Sequence, residues 1–207
     1  MLRWFGIALA IALAATPRIA AATTGGPQTL ELLGYAPKDG KVYLLRHFHD
    51  ESERGSKLVY IPLQGPHAGR TIEAKSWSRG DDGTEAFRTR YTERVEKLRA
   101  RLQKPRRSAR ARLRTRRRGT VHWASPFGED LSRDGSRIEV TSTVGDKVGA
   151  TTVESFGCLD PEARGCQRVR IVRAASLPKS DAAVVLVEAV GVPWETGYRK
   201  QSAVLVR

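Results

Sequence analysis

Two groupings of side chains in this sequence have types and spacings that chemistry can use. In "RHFHDE", His47 and His49 stand two apart, with Asp50 and Glu51 directly behind them. Residues two apart on a strand share a face, so both imidazoles can address one metal ion. A zinc site needs at least one more protein ligand, and His67 or His122, the remaining histidines, would have to supply it. This grouping defines the alternative reading of the chain, a metal-dependent hydrolase using His47 and His49. The plainer reading is a strand end entering the charged loop "DESERGS".

The second grouping is "KLRARLQKPRRSARARLRTRRRG". Residues 97–118 hold twelve of the 36 lysines and arginines and not one of the 22 acidic residues. Two more basic residues, Arg3 and Arg18, lie in the first 22 positions, which leaves 22 basic against 22 acidic elsewhere. The formal net charge of +14 is therefore a property of one segment, not of a generally basic surface. Before Pro105 the charge belongs to a helix, where Glu93 with Lys97 and Glu96 with Arg99 are spaced to pair. Beyond it no acidic neighbour remains. The residues expected to contact an anion are Arg106, Arg107, Arg110, Arg112, Arg114, Arg116, Arg117 and Arg118. Five of them, from Arg110 to Arg118, recur at every second position. In an extended chain those five project from one face about 6.5–7 Å apart, with Ala111, Leu113 and Thr115 opposite. A helix would scatter them around its circumference. Repulsion among them predicts a basic flexible segment over 105–119, and the competing reading is a solvated loop without a partner.

Other chemistries find little support. There is no G-x-S-x-G elbow and no P-loop or dinucleotide-binding glycine fingerprint, so no cofactor is expected. Cys158 and Cys166 bracket "LDPEARG", whose Asp-Pro and Gly favour a turn, and are expected to form a disulfide closing a hairpin.

The elements that must position these groups follow from the rest of the pattern. Residues 1–22 have a basic start, an apolar stretch from Trp4 to Ala15 and a small-residue tail, the layout of a secretory signal peptide cleaved near Ala22. The apolar stretch falls short of the roughly twenty residues of a membrane span, so no transmembrane segment is expected after cleavage. Residues 23–207 then form a single β-rich domain, secreted or periplasmic. Strands are expected at Leu30–Tyr35, Lys41–His49 and Leu58–Leu63, with Val184–Val187 buried on both faces. Phe87, Tyr91, Val95, Leu98 and Leu102 step by 4, 4, 3 and 4, the stripe of an amphipathic helix over about 84–104, with Asp82 and Glu85 as a capping box. The fold class expected is α+β or mainly β: antiparallel sheet with one amphipathic helix packed on it and a disulfide-closed hairpin.

"YAPKDGKVYLL" and "LSRDGSRIEVTS" both set Asp-Gly ahead of a strand, with "LPKSDAAVVLVEA" as a looser third copy. Here the chain resembles the Asp-Gly hairpins of Tol-associated periplasmic β-propellers, and its opening resembles bacterial predicted secreted proteins with no assigned function. The resemblance covers about a quarter of the chain and implies an envelope location and hairpin chemistry. Three uneven copies interrupted by a helix do not make the blades of a closed propeller.

The functional expectation is an exported, non-catalytic binding or envelope-associated protein that contacts an anionic polymer or surface through its arginine-rich segment. Export directs the choice of partner to an anionic glycan, lipopolysaccharide or an acidic protein. Few aromatic residues interleave the arginines, so specific nucleic-acid recognition is not expected.

Overall fold

The computed structural model describes residues 27–49, 55–78, 81, 83–108, 110–123, 132–156, 169–190 and 199–207. The signal segment and both cysteines, with the hairpin they were expected to close, lie outside the described residues. The described elements are β1 (Gln28–Ala36), β2 (Lys41–Phe48), β3 (Lys57–Pro62), β4 (Ile72–Glu73), α1 (Glu85–Arg99), β5 (Arg106–Arg107), β6 (Ala111–Trp123), β7 (Arg133–Val144), β8 (Lys147–Ser155), β9 (Arg170–Ser176), β10 (Ala183–Val190) and β11 (Arg199–Val206). Eight strands form one sheet in the order β4-β3-β2-β1-β11-β10-β9-β5, and β6-β7-β8 form a second. The pairings are antiparallel except for β1 beside β11, which run parallel with Gln28 opposite Lys200.

The larger sheet is apolar on both faces, and each face has its own cover. On one face, Leu30, Leu32, Val42, Leu44, Val59, Ile61, Val184, Leu186 and Leu205 belong to a single cluster. Among the described residues this cluster draws only on strands of that sheet and their connecting turns. On the other face, α1 covers Leu33, Leu45 and Leu58 with Val95, Tyr91 and Leu98, joined by Leu102 just beyond its end. The three-stranded sheet covers Val185, Val187, Val204 and Val206 with Val140, Val144 and Val153. Val184 to Val187 are thus buried on alternating sides of β10, as the unbroken apolar run predicted. Each such Val or Leu contributes about 1.5–3 kcal/mol by leaving water.

A polar network holds the seam between the two ends of the sequence. Glu188 is 8% exposed on β10 and is held by Arg170, at 2.7 Å and 2.8 Å, and by Gln201 Nε2 at 3.2 Å. The other end of the Gln201 amide, Oε1, accepts from Leu30 N at 2.8 Å. A buried carboxylate with this many donors keeps its charge satisfied.

The helix carries the expected stripe but not the expected ends. Its cap is Thr84, whose Oγ1 accepts from Phe87 N at 3.2 Å, rather than the Asp82 of the anticipated capping box. It stops at Arg99, five residues short of 104. Leu102 then drops onto β1 close to Gly34, and Gln103 exchanges two backbone hydrogen bonds with Tyr35, at 3.0 Å and 2.9 Å. Those bonds and the buried leucine outweigh one further helical turn.

Burial pushes the Tyr91 hydroxyl on α1 up to about 12, the carboxylates of Glu73 and Asp81 adding to the effect. An unfolded tyrosine ionises near 10, so between pH 10 and 12 the unfolded chain releases a proton that the folded chain retains. Stability therefore falls as pH rises through that window. The loss from this residue is at most about 2 kcal/mol after allowance for its partial exposure. In urea melts from pH 9 to 12, Tyr91→Phe will flatten the decline. Absorbance at 295 nm will show one of the five tyrosines ionising last.

Asp-Gly chemistry appears at one of its two expected places. Residues 37–40 turn between β1 and β2 with Gly40 at φ +57°. Asp134 and Gly135, expected at a turn, instead lie inside β7, paired with His122 and Val121. The looser third copy does turn, between β9 and β10, with Lys179 at φ +56°.

Candidate anion-binding face

The arginine segment, read from sequence as flexible, runs through β5 and into β6, the edge strand of the three-stranded sheet. Its alternation explains why. Ala111 and Leu113 are half-buried and pack on the cluster that holds Val140 and Val144, while Arg110, Arg112, Arg114 and Arg116 are exposed. Burial of the small residues fixes the strand, and period two then sends the arginines outward. β7 supplies the pairing: Arg112 lies opposite Thr143, Arg114 opposite Thr141 and Arg116 opposite Glu139. The outer face of β6 therefore meets hydroxyls at Arg112 and Arg114 and acidic neighbours at Arg116 and His122, the latter opposite Asp134.

The run of five is interrupted at its far end. Register shifts between Arg117 and Gly119, which places Arg118 at a bulge. The Arg118 guanidinium there bonds Glu139, so this arginine has the acidic partner that sequence reading denied it. Arg117 reaches Thr120 Oγ1 at 3.5 Å. Arg106 and Arg107 are exposed on β5, paired through the backbone with Ser176 and Ala175 on β9, in the larger sheet. Arg137 on β7 pairs with Glu154 at 3.5 Å. Among the described residues Arg110, Arg112, Arg114 and Arg116 form no ion pair. Four alternate positions span about 20 Å of strand.

The histidine grouping behaves differently. The His47 and His49 rings are 6.3 Å apart. Both His47 nitrogens already have partners: Nδ1 lies 2.7 Å from Ser56 Oγ, and Nε2 3.2 Å from Glu31 Oε2. His49 Nε2 lies 3.0 Å from Thr29 Oγ1. His122 Nδ1 pairs with Asp134 Oδ1 at 2.8 Å on the other sheet, and His67 lies in the turn after β3. Among the described residues no group of three His, Cys, Asp or Glu side chains could hold a metal ion, and Asp50 and Glu51 of the same grouping lie outside the described residues.

Sequence reading missed Ser56 and Glu31 as partners of His47. Their contact is a product of strand register, whose only trace in the sequence is the two strands flanking one charged loop. No helix among the described residues is long and apolar enough to cross a membrane. No family model, curated protein or solved structure gives a significant match to the chain.

Proposed function

We propose that this chain is an exported protein that holds an anionic polymer or surface against the outer face of β6. One observation carries the reading: Arg112, Arg114 and Arg116 alternate along one exposed face of β6, with Arg110 exposed just before it, and none of the four forms an ion pair among the described residues. A row of fixed guanidinium groups attracts a linear array of negative charge, as a glycan sulfate or carboxylate, a lipopolysaccharide phosphate or an acidic protein segment presents. The signal-like residues 1–22 support the compartment. Pre-ordering in a strand lowers the entropic cost of binding compared with a loose basic loop.

Heparin binding followed by calorimetry from 50 to 300 mM salt tests this. Four engaged arginines predict that log K falls linearly with log salt, with a slope of roughly −3 to −4. Absent or salt-independent binding would overturn it.

A further inference from the structure

The hairpin of β2 and β3 assembles a second site on the opposite half of the molecule. Arg46 pairs with Lys57, so His47 and Ser56 face each other one step further along. His47 Nδ1 is 2.7 Å from Ser56 Oγ, and His47 Nε2 is 3.2 Å from Glu31 Oε2 on β1. The second carboxylate oxygen, Glu31 Oε1, accepts from Arg99 Nη2 at 2.8 Å, at the end of α1. An ionised carboxylate only accepts hydrogen bonds, so Nε2 must carry the ring hydrogen. In the neutral ring Nδ1 is then bare, and the hydrogen between it and Ser56 comes from the serine. A hydroxyl facing a base, the base aligned by a third group, is the signature of an activated nucleophile.

The surroundings supply a place for a substrate. Ser56 and Arg99 line a cavity of about 510 Å³ between α1 and the sheet. Its apolar wall is Leu45, Phe87, Tyr91 and Val95, and Phe87 stacks on Tyr91 with ring centres 6.0 Å apart. The volume lies in the range of small-ligand sites, with apolar walls and a few convergent polar groups. Lys57, Arg88 and Arg99 line the cavity with the serine hydroxyl, as do the carboxylates of Asp81 and Glu96; Lys57 pairs with Glu73 at 3.4 Å and Arg99 with Glu31 at 2.8 Å.

We infer that Ser56 is a nucleophile for acyl transfer from carboxylic esters with a small apolar or aromatic acyl group. His47 is its general base, and Glu31 and Arg99 are positioning residues. Ser56 Oγ bonds to the ester carbonyl carbon while its proton passes to His47 Nδ1. The former carbonyl oxygen carries the negative charge of the tetrahedral intermediate. The bond to the alcohol oxygen then breaks, and His47 returns the proton to the departing alkoxide. Water repeats the sequence on the acyl-serine, releasing the acid and restoring the hydroxyl. The site is separate from the arginine face, and the two proposals stand or fall independently.

The test treats the full mature chain with an alkyl fluorophosphonate and maps the adduct by peptide mass spectrometry. The expected result is one adduct per chain, on Ser56, and none anywhere in Ser56→Ala. This mapping needs no variant to fold. His47→Gln should slow labelling by about 100-fold or more, the usual contribution of a general base. Glu31→Gln should lower the maximal inactivation rate about tenfold or more, with the half-saturating probe concentration unchanged and the thermal midpoint within a few degrees. An unlabelled Ser56, or labelling that survives His47→Gln at the wild-type rate, overturns the proposal.

Discussion

Arg112→Glu/Arg114→Glu/Arg116→Glu will bind heparin about 100-fold or more weakly than the parent at 100 mM salt. Each basic group against an anionic surface is worth about 1 kcal/mol, and reversal removes three attractions while adding three repulsions, screened by salt. The salt slope will fall by about 3. Unfolding free energy should stay within about 1 kcal/mol of the parent: all three side chains are exposed and Arg112 and Arg114 face hydroxyls across the ladder, while Arg116→Glu sets a like charge opposite Glu139. Charge reversal matters in this design. A thirteen-residue edge strand is a template for unwanted strand addition, and charged side chains on it also serve as a guard. Glutamates keep the guard and abolish anion attraction, whereas the matching glutamine variant removes both. If binding disappears in both variants but only the glutamine protein self-associates in sedimentation, the arginines have two separable roles. If the glutamate variant keeps its affinity, the face is not the binding site. Deleting residues 105–118 would confuse the outcome, since it also removes β5 and the inward Ala111 and Leu113.

Gly149→Ala is expected to cost about 2–4 kcal/mol in urea unfolding, in the upper part of the range for single substitutions. A Cβ at this position would lie 2.0 Å from the Leu205 carbonyl oxygen and 3.0 Å from Val206 Cα. The obstruction is backbone, so no side chain can rotate away. Beside it, Val148 and Arg207 exchange backbone hydrogen bonds at 3.4 Å and 3.3 Å, joining β8 to the end of β11. Only a residue without a Cβ lets the two sheets approach so closely. Ala150→Ser, one residue on and exposed, is the control and should change stability by less than about 0.5 kcal/mol. Faster limited proteolysis within 111–155 in the alanine variant would localise the damage to the smaller sheet. An unchanged midpoint would show that the sheets can separate without cost.

Much of this architecture was readable because local pattern and tertiary burial agree. The alternation in Leu30–Tyr35 and Leu58–Leu63 gave β1 and β3 to within a few residues. The stripe from Phe87 to Leu102 marked the face of α1 that meets the sheet, and Val184–Val187 marked a strand buried on both faces. The alternating arginines projected from one face once the chain was extended, and the half-buried Ala111 and Leu113 hold it extended. What stayed hidden depends on long-range register. Nothing local to Arg118 announces a bulge or the distant Glu139 that bonds it. Gln103 ends the helical path by pairing with Tyr35, 68 positions earlier, and no helix propensity contains that partner. The contact of His47 with Ser56 and Glu31 requires three strands to be laid side by side. The parallel seam of β1 and β11 breaks the antiparallel expectation for the same reason.

That seam also sets an order of events. Gln28 and Lys200 are partners across 172 positions, so a chain emerging amino end first makes β1, β2 and β3 long before β11 exists. Until then Leu30, Leu32, Val42 and Leu44 have no Val184, Leu186 or Leu205 to pack against. Closure of so long a loop is slow, and apolar strands left waiting are the species that aggregate. The folding of this chain is therefore governed by the arrival of its last described strand, and the early hairpins need protection for as long as that takes.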